Sequence, residues 1–161
     1  MATWEDVRRL AGALPETTET AGGDGLTSWR VRGKSFAWER PLRRGDLAAL
    51  AARGVAAPVG AVLGVRTADT DAKEALLAEA EAAAEGAAAV TGEVTGEVGV
   101  VFTTPHFDGY AAVLVVLDRI GAAALAELLT DSWLAAAPKR LARTLADPAV
   151  VPAHPTPEGG G

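Results

Sequence analysis

Between Thr3 and Pro15, the residues Trp4, Val7, Leu10 and Leu14 recur at helical spacing, and Thr3 with Asp6 three positions on has the form of an N-cap and its acidic partner. An amphipathic first helix is predicted there. Residues 16–26, interrupted by Gly22, Gly23 and Gly25, break that period and read as a loop. Apolar and polar residues then alternate over Ser28–Arg32 and Ser35–Arg40 around Gly33-Lys34, with Trp29 and Val31 answering Phe36 and Trp38. This predicts a β-hairpin with one large aromatic face. Asp46 is placed to cap a short helix through Leu47, Leu50 and Arg53 that Gly54 ends, and Val59–Arg66 has the make-up of a buried strand.

The second half repeats this alternation of elements. Asp71 with Glu74 forms another capping pattern, and the Ala-rich run after it predicts a helix to about Glu85, closed by Gly86. Leu76, Leu77 and Ala80 would face inward, and Lys73, Glu74, Glu81 and Glu85 outward. Thr91-Gly-Glu-Val followed by Thr95-Gly-Glu-Val is a tandem duplication, too short for a repeat architecture and read as a surface insertion. Val98–Thr103 and Ala111–Leu117 are two further strands, joined by a shaped turn from Thr104 to Tyr110 and expected to pair antiparallel. A helix over Ala122–Ala136, with Leu125, Leu128, Leu129 and Trp133 on one face, precedes a short one started by Pro138. The order of elements fits an α+β fold, an antiparallel sheet with helices packed on one face, in a single domain over residues 1–146. Residues 147–161, rich in Pro and Gly, are expected to be a disordered tail.

Composition narrows the function. The 161 residues include no cysteine, which excludes disulfides, Cys-ligated metals and a thiol nucleophile. No signal-like or membrane-spanning apolar run is present, so no membrane partner and a cytoplasmic location are expected. No phosphate-binding glycine motif and no nucleophile elbow appear, and only His106 and His154 supply imidazoles. An enzyme is the least supported class, and no cofactor or metal is expected. The net charge of −6 hides a local excess: residues 26–53 hold seven basic groups (Arg30, Arg32, Lys34, Arg40, Arg43, Arg44, Arg53) against Glu39 and Asp46. Residues 54–100 hold two basic against eight acidic.

Three groups of residues are candidates for function, each with a structural alternative. The basic hairpin of Arg30, Arg32 and Lys34, with Arg40, Arg43 and Arg44 after it and Lys139 and Arg140 near the C-terminus, can contact phosphates or simply face solvent. The turn carrying His106, Asp108 and Tyr110, together with Trp133, can form a small-molecule pocket, or its side chains can satisfy loop backbone. Trp29, Phe36, Trp38 and Trp133 can offer a stacking platform, although their spacing is also that of core positions.

Taken together, Trp29-Arg-Val-Arg-Gly-Lys-Ser-Phe-Ala-Trp-Glu-Arg-Pro41, Phe102-Thr-Thr-Pro-His-Phe-Asp-Gly-Tyr110 running into Ala112-Val-Leu-Val115, Trp133 with Ala137-Pro-Lys-Arg-Leu141, and the early Leu14-Pro15-Glu16 resemble the MmcQ/YjbR family over roughly residues 3–146. The resemblance implies a CyaY-like α+β fold and a double-wing mode of DNA binding, with the hairpin around Arg30, Arg32 and Lys34 as one wing. Two positions depart from the family pattern: Ala111 replaces a usual proline, and Val116 stands where a basic residue is common. The leading expectation is thus a non-enzymatic protein that binds DNA, with a small-molecule or protein-binding module as the alternative.

Overall fold

The computed structural model describes residues 1–92 and 96–146; the expected tail lies outside the described residues. Helices α1 (Trp4–Gly12), α2 (Arg44–Ala52), α3 (Thr70–Thr91), α4 (Ala122–Ala136) and α5 (Lys139–Ala146) accompany strands β1 (Thr17–Ala21), β2 (Thr27–Val31), β3 (Lys34–Glu39), β4 (Val62–Arg66), β5 (Val101–Phe102) and β6 (Ala112–Val116). The strands form one antiparallel sheet in the order β1-β2-β3-β4-β6-β5. The α+β, antiparallel, single-domain architecture is the one the sequence predicts.

Alternation along β6 divides the interior into two cores. Val113 and Val115 point toward α1 and α4 and join Val7, Trp29, Val31, Phe36, Leu63, Val65, Leu129 and Trp133. Leu76 and Leu77 of α3 and Leu141 of α5 pack against the same core. Burying each large side chain of this set contributes about 1.5–3 kcal/mol. Trp4 extends it by stacking on Trp29 at 6.3 Å, and Trp133 Nε1 donates to the Pro15 carbonyl at 3.0 Å, tying α4 to the end of α1. On the opposite face Ala112, Leu114 and Val116 meet Val62, Leu50 of α2, Phe102 and Phe107, a smaller core under α2 and the 104–110 turn. The sheet is therefore covered on both faces at β4 and β6.

Several local details differ from expectation. Thr17–Ala21 is an edge strand rather than loop; it is mostly exposed, so its β-branched residues carry no apolar alternation. Asp69, not Asp71, caps α3 by accepting from the Ala72 N–H at 2.7 Å. Gly86 does not stop that helix, because a single glycine costs only about 1 kcal/mol within a run of strong formers. The stop comes at Gly92, which takes φ 73°. Asp46 lies inside the first turn of α2, behind Arg43. The β2–β3 turn is Arg32-Gly33, both with positive φ, as a tight two-residue hairpin requires.

The most consequential difference is in β3. Trp29 pairs with Ala37 and Arg30 with Ser35, so Phe36 is an extra residue in the ladder. This bulge shifts the phase of the strand. Phe36 and Ala37 both enter the main core, and Trp38 falls on the other face of the sheet rather than beside Trp29 and Val31.

Candidate nucleic-acid interface

The 104–110 turn is held from both sides. Thr104, buried, donates its hydroxyl hydrogen to Asp46 Oδ1 at 2.9 Å, and Asp46 Oδ2 accepts the Arg43 N–H at 2.8 Å. Arg40 Nη2 lies 3.0 Å from the same Oδ2, an ion pair without hydrogen-bond alignment. Burial pushes the Asp46 carboxyl up, but the Arg43 and Thr104 hydrogen bonds and the Arg40 charge outweigh it and hold the group below its ordinary 3.8. From α3, Lys73 Nζ donates to the carbonyls of Phe107 (2.6 Å) and Tyr110 (3.0 Å). Lys73 was expected to face outward and is buried instead; loss of hydration lowers its pKa from 10.5, and the Asp108 charge partly opposes this.

This clamped turn presents His106 on the sheet face opposite the main helices. There a hollow of about 350 Å³ is lined by Ser28 and Arg30 of β2, Trp38 of β3, Arg43, His106 and the 20–26 loop. Arg30 uses Nε on Ser28 Oγ and Nη1 on the Gly33 carbonyl, both at 3.3 Å, leaving three of the five guanidinium N–H groups free. Arg43 is exposed at the helix entrance, and Arg44 follows it, also exposed. The acidic groups of the rim are engaged: Asp24 accepts the Leu26 N–H at 3.0 Å and Glu39 the Thr27 N–H at 2.7 Å.

The other predicted site residues are distributed differently. Arg40 is 5% exposed, its Nη1 donates to the Pro41 carbonyl at 2.6 Å and its guanidinium stacks 5.1 Å above the Phe107 ring, so it supports the hollow from beneath rather than reaching outward. Arg32 is held by both carboxylate oxygens of Glu16 at 2.9 Å. Lys34 is exposed at the hairpin tip, and the hairpin is no free wing, since β1 flanks β2 and β4 flanks β3. Lys139 and Arg140 are exposed on α5, which packs on the far face of the sheet through Leu141. Trp133 is fully buried in the main core and shares no pocket with His106, Asp108 and Tyr110; the latter two are exposed on the turn. Trp38 and Lys73 also lie elsewhere than their sequence pattern predicts. A glycine, Gly64, amid the apolar residues of β4 was the available signal for Trp38.

Among the described residues no group of three His, Cys, Asp or Glu side chains is placed to hold a metal ion, and no helix is long and apolar enough to cross a membrane.

A single antiparallel sheet backed by helices, with a basic hollow on its other face, defines a small α+β domain. The YjbR family model matches residues 12–135, and the chain belongs to that family. It is 48% identical over 141 residues to the uncharacterized proteins Mb2600 of Mycobacterium bovis and Rv2570 of Mycobacterium tuberculosis, covering 88% of this chain and 93% of each relative. No solved structure shows a significant match.

Proposed function

We propose that the protein is a non-enzymatic DNA-binding protein that contacts phosphates through Arg30, Arg43 and Arg44, with His106 on the rim and Lys34 adding attraction from the hairpin tip. The observation that carries this reading is the convergence of Arg30, Arg43 and His106, from three separate segments, on one open hollow. Both guanidinium groups keep N–H donors free for phosphate oxygens. The chain as a whole carries a charge of −6, so a local concentration of basic groups at the hollow would orient the encounter with a polyanion.

Fluorescence anisotropy of a labelled duplex at about 50 and 200 mM salt tests it, since each phosphate contact contributes a slope of about −0.9 in log affinity against log salt. Binding that falls steeply with salt and is lost in Arg30→Ala/Arg43→Ala is the expected result. Absence of binding at the lower salt, with duplex and single strand alike, overturns the reading.

A further inference from the structure

We infer that the hollow seats one unpaired nucleotide, its base on the Trp38 indole and its phosphate at Arg43, so that single-stranded DNA is preferred over duplex; the inference rests on the DNA-binding reading above. The β3 bulge takes Trp38 out of the main core and leaves it half-buried in the lining of the hollow. Its position is fixed by Gly64 on the neighbouring strand. A Cβ at Gly64 would lie 2.4 Å from both Cε2 and Nε1 of the indole, so the ring rests directly on the β4 backbone. Val62, Leu63 and Val65 around Gly64 are all buried, and a residue without a side chain among them makes room for the ring.

The hollow over Trp38 adjoins a second one of about 320 Å³ at the start of α2, lined by Arg40, Arg43, Gly45, Asp46, Pro105 and His106. The two share Arg40, Arg43 and His106. An aromatic plane beside a cationic rim is the complement of a planar base joined to a phosphate. The larger hollow falls within the range of about 300–1,000 Å³ typical of small-ligand sites. In a duplex the base faces are stacked on one another and closed to the indole; only an unstacked base can lie on it. The other tryptophans offer no such surface: Trp29 and Trp133 are buried, and Trp4 stacks on Trp29.

The test compares a labelled oligothymidine of about 12 nucleotides, the same strand with abasic positions, and a duplex, each titrated with wild type, Trp38→Phe and Trp38→Leu. Wild type is expected to bind the single strand about tenfold or more tightly than the duplex. Trp38→Leu should lose that advantage while keeping duplex affinity, which also reports that the variant is folded, and Trp38→Phe should retain most of it. On the abasic strand wild type and Trp38→Leu should bind alike. Duplex bound as tightly as single strand, or Trp38→Leu indistinguishable from wild type on the single strand, overturns the inference and leaves the DNA-binding reading standing. Failure of wild type to bind either form removes both.

Discussion

Glu16 and Arg32, the non-glycine residues with positive φ among those described, hold each other through two 2.9 Å hydrogen bonds. Each stands in a conformation that side-chain-bearing residues rarely adopt, one at the entry to β1 and the other in the β2–β3 turn. The pair fastens the hairpin tip to the chain before the edge strand. It also withdraws Arg32 from the basic surface. Glu16→Gln should release that guanidinium, raising affinity for DNA and steepening its salt dependence by about one phosphate contact. Arg32→Ala should leave binding close to wild type. Paired salt titrations of the two variants check both outcomes.

Asp46 is the anchor between α2 and the 104–110 turn. Asp46→Ala leaves the buried Arg40 guanidinium uncompensated and should cost about 3–5 kcal/mol in urea unfolding at neutral pH. Thr104→Val removes one buried hydrogen bond and should cost about 1–3 kcal/mol. Because the folded Asp46 carboxyl titrates below its ordinary 3.8, its contribution is present above that value and is lost as pH falls through the lower, folded one. The stability of wild type should therefore drop on acidification more steeply than that of Asp46→Asn. Parallel slopes would contradict this account.

For Lys73 the slope has the same sign but lies in the alkaline range, and its origin is the cost of a buried charge rather than the gain of a paired one. Its folded pKa lies below 10.5, so the cost of keeping a charged amine buried is present at neutral pH and is relieved as pH rises from the folded value toward 10.5. Wild-type stability should gain over that alkaline window, and Lys73→Met should lack the gain. At neutral pH Lys73→Met also loses two donations to carbonyls, and amide exchange across residues 104–110 should accelerate.

Gly64→Ala tests the seating of the indole. The added methyl would overlap Trp38, an overpacking expected to cost about 1–3 kcal/mol, and the displaced ring should lower affinity for single-stranded DNA. Combined with Trp38→Leu, the stability cost of Gly64→Ala should shrink, since the shorter side chain vacates part of the space. A double-mutant cycle in urea gives the coupling; strictly additive effects would mean that the two positions do not contend for the same volume.

The sequence patterns were most legible where one face of an element is apolar. The first helix, the β2–β3 hairpin, β6 and α4 all follow from periodicity, because their burial is one-sided or complete. β1 left no trace, since an exposed edge strand needs only β-branched residues and hydrogen bonds. The bulge at Phe36 was hidden because Phe36-Ala37-Trp38 satisfies simple alternation; only the ladder reveals that Phe36 is supernumerary. Arg30, Arg43 and His106 were each singled out by residue type, but their convergence depends on contacts between distant segments. Thr104 and Asp46 are 58 positions apart, and nothing local announces that they meet. Trp133 was grouped with His106 on chemical grounds, yet the sheet itself separates them.

The uneven cover of the sheet has a mechanical consequence. β6 is buried along its whole length, between helices on one side and the α2 segment on the other, whereas β1 is largely open to solvent. The hollow lies on the seam: Arg43, His106 and Phe107 belong to the part of the fold beside the doubly covered strands, and Ser28, Arg30 and the 20–26 segment to the part beside the open edge strand. A molecule lodged there acts as a strut between them, and its occupancy would damp the breathing of the outer strands. The amides of Thr17 and Thr18, which do not line the hollow, would then exchange more slowly in the occupied state, reporting at the sheet edge an event two strands inward.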